Sequence, residues 1–112
     1  MIRKKFGPAF RGLIQGMGHR SIRVQWILAL LAVIAGCILR LTSGEWIAVI
    51  LCIGLVVMSE YLNTAVEFLC NYLTEENDER IGRIKDISAG GVLAASLAAL
   101  LTAAVILARH LF

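Results

Sequence analysis

Four polar side chains break an otherwise apolar stretch: Glu60, Asn63, Glu67 and Asn71. Their positions, i, i+3, i+7 and i+11, project from one face of a helix that turns every 3.6 residues. Lys85 and Asp86 follow after a short charged segment and are placed to face this ridge across it. Carboxylates can hold Mg²⁺, a lysine can neutralise phosphate oxygens, and a desolvated glutamate can take a proton from a hydroxyl. The set therefore has the residue types of a phosphoryl-transfer site. The same ridge could instead hydrogen-bond neighbouring helices and hold an oligomer together in lipid.

The segment Thr74–Gly82 carries Glu75, Glu76, Asn77, Asp78, Glu79 and Arg80. Such a run ordinarily solvates a turn. If a nucleotide binds, Glu76, Asn77 and Asp78 are placed to touch its exposed end. There is no Walker-A glycine loop, and Gly90-Gly91 lies in apolar sequence and reads as helix packing.

The elements that must position these residues are apolar helices. The 112 residues are 59% hydrophobic with mean hydropathy +0.80, against ~45–50% apolar in soluble domains. So short a chain has little interior in which to hide that surface, and lipid is the simpler solvent. The expectation is all-α: a single domain over residues 1–112, with an interfacial helix near 5–20 and spans near 24–41, 46–73 and 86–109. Phe6, Phe10, Leu13, Ile14 and Met17 recur at helical spacing among basic residues, as in a helix lying on a membrane. Pro8 places the start of that helix close to itself, because proline fits best in a first turn. Leu41–Glu45 reads as a tight turn, with Trp46 as an interface anchor. The run Val24–Leu39 is longer than a signal-peptide core and no small-x-small site follows, so cleavage is not expected. Cys37, Cys52 and Cys70 lie in apolar stretches and read as small buried hydrophobes.

Charge sets the orientation. Arg3, Lys4, Lys5, Arg11, Arg20 and Arg23 precede the first span, and Arg80, Arg83 and Lys85 precede the third. The positive-inside rule puts both segments in the cytoplasm, so the expectation is a multi-pass protein of the cell (inner or plasma) membrane with a cytoplasmic N-terminus. Nucleic acid is not an expected partner of so apolar a chain. From Trp46 to Glu60 is 14 residues, about 21 Å of helix, and Glu67 stands about 10 Å further along. In a hydrocarbon core ~30 Å thick, Glu60 falls in the inner leaflet and Glu67 at the boundary.

The segment Ser59-Glu60-Tyr61-Leu62-Asn63-Thr64-Ala65-Val66-Glu67, followed by Lys85-Asp86-Ile87-Ser88-Ala89-Gly90-Gly91-Val92-Leu93, resembles the prokaryotic diacylglycerol kinase/undecaprenol kinase family. Phe6-x-x-Ala9-x-x-Gly12 and Ile22–Gln25 fit its N-terminal part, so the resemblance covers nearly the whole chain. It implies a homotrimer of three-spanning subunits, with shared active sites at the cytoplasmic interface, that phosphorylates a lipid alcohol using ATP and Mg²⁺. By the matching motif, Glu60 would be the catalytic base on the lipid hydroxyl and Glu67 the Mg²⁺ ligand that positions the ATP phosphates. Asn63, Lys85 and Asp86 would support nucleotide and metal. The NTAxE and AGxVL details resemble the Gram-positive branch, whose expected substrate is undecaprenol, with diacylglycerol as the other acceptor.

Two departures stand out. Asn71 replaces a frequent aspartate. The stretch Gly18-His19-Arg20-Ser21 lacks the family's second metal-binding glutamate. His19 falls at or next to that position, as a metal ligand or as an ordinary interfacial histidine; Glu75, Glu76 or Asp78 could substitute. The missing acid leaves a catalytically weakened member, acting as a membrane scaffold, as one alternative. A small proton-coupled transporter using Glu60 is another, although it would need neither the Lys85-Asp86 pair nor the acidic loop.

Overall fold

The computed structural model describes residues 2–74 and 76–112, with side chains from residue 6 onward. Four helices follow one another: α1 (Ile2–Gly16), α2 (Arg20–Leu39), α3 (Ser43–Leu73) and α4 (Glu79–Leu111). No strand occurs among the described residues. The all-α expectation holds, and α2, α3 and α4 are each long and apolar enough to cross a membrane.

Exposure agrees with lipid as the solvent. Ile38 and Ile87 are each 75% exposed, and large aliphatic side chains line the outside of every span. In water that surface would drive aggregation. The core is thin: Ile22, Val56, Val57, Cys70 and Ile106 are its buried apolar members. Of the cysteines expected to be buried, Cys70 is, Cys52 is half-buried and Cys37 is exposed toward the apolar surroundings; all three are free.

The starts of α1, α3 and α4 differ from the sequence expectation, each for a local reason. Helix α1 begins at Ile2, so Pro8 sits inside it and not at its start. Proline there costs one backbone hydrogen bond, and an exposed interfacial helix can give the freed carbonyl to water. Helix α3 starts at Ser43, inside the expected turn, because Thr42 and Glu45 form a reciprocal capping box: the Thr42 hydroxyl accepts from Glu45 N at 3.3 Å and the Glu45 carboxylate from Thr42 N at 2.9 Å. The turn is thereby cut to Arg40–Thr42, with Arg40 in the left-handed conformation at φ 57°. Helix α4 starts at Glu79, seven residues earlier than expected, because Asp78 caps it by accepting from the amides of Arg80 and Ile81. Lys85 and Asp86 therefore lie in the second turn of α4, not just ahead of it.

Helix lengths then fix where the site stands. The 20 residues of α2 span about 30 Å, one hydrocarbon thickness. The 31 residues of α3 and 33 of α4 extend about 46 and 50 Å. The three-residue turn between α2 and α3 holds their ends level, with the Trp46 ring against Gly36. Helices α3 and α4 pack extensively on each other, and the end of α4 meets the start of α3 through His110 and Glu45. The surplus length of both therefore emerges on the opposite side, the side that carries α1. That projecting hairpin bears Glu67, Asn71, Lys85 and Asp86.

Candidate active site

The polar ridge of α3 begins at the buried carboxylate Glu60, 7% exposed. Val56 and Val57, one turn earlier, are also buried, so Glu60 is the point at which the apolar contact face of α3 turns polar. A carboxylate in such a place needs a partner. Gln25 of α2 supplies one: its Nε2 donates to Glu60 Oε1 at 3.4 Å. The bond is long, so Glu60 is held loosely and keeps acceptor capacity for another hydroxyl.

One turn on, Asn63 Nδ2 donates to Glu67 Oε1 at 3.3 Å. Only the amide nitrogen can face a carboxylate, so the Asn63 orientation is chemically forced. Its Oδ1 is then buried without a hydrogen-bond partner, an acceptor in want of a donor or a cation. Glu67 itself is exposed. Further out, Asn71 Oδ1 accepts from Lys85 Nζ at 2.7 Å, which ties the projecting ends of α3 and α4. The ridge and Lys85 thus face each other as expected.

The remaining candidates are more dispersed. Asp86 is exposed and makes no hydrogen bond or ion pair among the described residues. Glu76 and Asn77 are exposed in the loop, where Glu76 N donates to the Thr74 hydroxyl at 3.1 Å. Asp78 is engaged as the α4 cap, and its carboxyl is held below its usual 3.8 chiefly by the backbone amide of Arg80, with help from Ile81 and the Arg80 charge against some desolvation. His19 is exposed at the start of α2, and its side chain caps nothing. Glu75 lies outside the described residues. Among those described, no three His, Cys, Asp or Glu side chains gather into a metal-binding group.

Beside Gln25 a cleft of about 560 Å³ opens between α2, α3 and α4. Its floor is Cys52, Ile53 and Val56, and its walls include Leu28, Ala99 and Leu100. Small residues on α4 make this space, as alanine leaves room at a helix crossing. The volume falls within the range of ligand sites, and its apolar lining leads toward the Gln25–Glu60 pair.

Sequence reasoning missed Gln25, the one hydrogen-bond partner of Glu60 among the described residues; the signal was a lone amide entering an apolar run. It also missed a cluster at the other end of the bundle. Glu45 is only 3% exposed. His110 Nε2 donates to its two carboxylate oxygens at 2.9 and 3.0 Å, and Arg109 lies 3.8 Å away. That cluster clamps the start of α3 to the end of α4, far from the ridge.

Comparisons with known proteins place the chain in a family. A family model described as "Prokaryotic diacylglycerol kinase" matches residues 7–107. Proteins named diacylglycerol kinase from Escherichia coli (strain K12) and from Shigella flexneri are each 30% identical over 108 residues, covering 96% of this chain and 88% of theirs. With residues 7–107 matched by the family model and 96% of its length aligned with these relatives, the chain belongs to the prokaryotic diacylglycerol kinase family of membrane lipid kinases.

Proposed function

We propose that this protein transfers the terminal phosphate of ATP to the hydroxyl of a membrane lipid alcohol at the cytoplasmic boundary of the cell membrane. The observation that carries this reading is the ridge itself: a buried carboxylate bonded to Gln25, which lines an apolar cleft, followed along α3 by polar groups on a hairpin that projects beyond α2. A greasy alcohol reaches Glu60 from one side, and a soluble triphosphate reaches Glu67 and Lys85 from the other.

In this reading Glu60 is the general base. It accepts the lipid hydroxyl proton as that oxygen attacks the γ-phosphorus, and the bond from phosphorus to the bridging oxygen of ADP breaks. Gln25 orients the Glu60 carboxylate. Lys85, which needs only to turn from Asn71, offsets phosphate charge, and Asp86, Asn63, Glu76, Asn77 and Asp78 support the nucleotide. The donor set suits Mg²⁺, which typically takes one or two carboxylates together with phosphates and water: Glu67 is exposed, and the bare Asn63 Oδ1 lies beside it. Held there, Mg²⁺ would neutralise the charge that develops on the phosphates. His19 is a further candidate ligand, to be supplied from another subunit, because within one chain it stands apart from the carboxylates. A homotrimer with active sites between subunits suits a chain whose spans leave so much surface uncovered.

Two acceptors compete. The NTAxE pattern favours undecaprenol; the names of the relatives favour diacylglycerol. Purified protein in bicelles, given labelled ATP, Mg²⁺ and each alcohol in turn, should place label on at least one lipid, and undecaprenol is the expected better acceptor. Label on neither would sink the kinase reading, and proton-driven efflux from proteoliposomes would replace it with a transporter.

A further inference from the structure

Tyr61 follows Glu60 in the chain but points about 100° away from it around α3, and it joins three helices. Its hydroxyl donates to the Leu13 carbonyl of α1 at 2.7 Å and accepts from Trp26 Nε1 of α2 at 3.2 Å. Its ring packs against Gly16 near the end of α1, where an added Cβ would collide with Cε1 and stand 2.9 Å from Cδ1 and Cζ. Among the described residues little else fastens α1: Phe10 and Ile14 are 63% and 72% exposed, suited to lipid and not to the bundle. Trp26 is the chain neighbour of Gln25, so consecutive residues of α2 bond to consecutive residues of α3: Gln25 to Glu60 and Trp26 to Tyr61.

We propose that Tyr61 is a positioning residue that fixes the interfacial helix α1 at the level of Glu60, and so sets where a lipid hydroxyl meets that carboxylate. An amphipathic helix held only by headgroups is free to change depth and to rotate. One hydroxyl that both donates and accepts removes those freedoms, and it does so strongly where water is scarce. Gly16 is the matching feature, since only a residue without Cβ lets the ring approach the α1 backbone this closely. Phosphate-handling residues lie further out on the hairpin, so the effect falls on the lipid and not on the nucleotide. The inference rests on the lipid-kinase reading, but the tie itself can be read without activity.

Tyr61→Phe keeps the ring on Gly16 and loses both hydrogen bonds. Amide exchange should quicken about tenfold over α1 residues 6–16, the equivalent of one lost hydrogen bond, and stay unchanged in α3 and α4. The KM for the lipid alcohol should rise about as much, with the KM for ATP unaltered. Gly16→Ala, which forces the ring away from the α1 backbone, should give the same split, and in a Tyr61→Leu background it should add nothing further. Unchanged exchange over α1 in Tyr61→Phe overturns the tie. Faster exchange with an unmoved lipid KM, or with both KM values raised together, overturns the positioning role. A wild-type protein that phosphorylates no lipid overturns the kinase reading instead, and the exchange comparison then decides the tie alone.

Discussion

Two carboxylates on one face of α3 have different surroundings, and their substitutions should separate. Glu60 is buried and its polar partner is an amide. Glu60→Gln keeps the shape and the hydrogen bond to Gln25 can persist through the new amide oxygen, but the base is gone. Turnover should fall about 10²–10⁴-fold, with the protein still assembled by size-exclusion chromatography; retained turnover would remove Glu60 from the base role. Glu67 is exposed and meets Asn63. Glu67→Ala should shift the Mg²⁺ titration to higher concentration or abolish activity, whereas a titration matching wild type would make the metal assignment wrong. The two variants thus test proton transfer and charge neutralisation independently.

The caps decide where the helices begin, and hence which residues are presented. Thr42→Ala removes half of the capping box at the tight turn and should destabilise the protein by about 1 kcal/mol, measurable as an earlier unfolding midpoint in denaturant. Its effect on turnover should be small, because the turn lies at the far end of the bundle from the ridge. Asp78 is the cap on the site side. Its carboxyl is held below 3.8 by the Arg80 and Ile81 amides, so its folded pKa is depressed. The stability it contributes is fully present above the unfolded value and is lost as pH falls through the folded one. The first turn of α4 should therefore fray as the pH drops below 3.8, and Asp78→Asn should flatten that response. Amide exchange at Arg80 and Ile81 across this range checks it; equal pH dependence in both proteins would show that the cap plays no part.

At the scale of the whole molecule, one chain offers the ridge but not an enclosed site. Lys85 and the loop stand on the hairpin, the cleft opens sideways between spans, and His19 is at the start of a different helix. If a neighbouring subunit supplies His19 to the ridge, mixing Glu60→Gln and His19→Ala chains during reconstitution should restore part of the wild-type activity, because some interfaces would pair an intact ridge with an intact histidine. Restoration no greater than the sum of the two separate variants would mean that each chain carries its whole site.

The all-α class, the three spans and the ridge were legible in the residues because they follow from local rules. Apolar runs of span length have few alternatives, and spacing by three and four residues puts side chains on one helix face whatever surrounds it. The facing of Lys85 toward the ridge was legible too, since a short loop between antiparallel helices leaves little choice. What the residues did not disclose depended on contacts far apart in sequence. Gln25 reaches Glu60 across 35 residues, Tyr61 reaches Leu13 across 48, and His110 reaches Glu45 across 65. Nothing in a periodic pattern specifies which polar group will be buried opposite which. Helix length alone put Glu60 deeper than Glu67, but burial against a partner is a property of the packed bundle, and only the tertiary structure decided that Gln25 stands opposite Glu60.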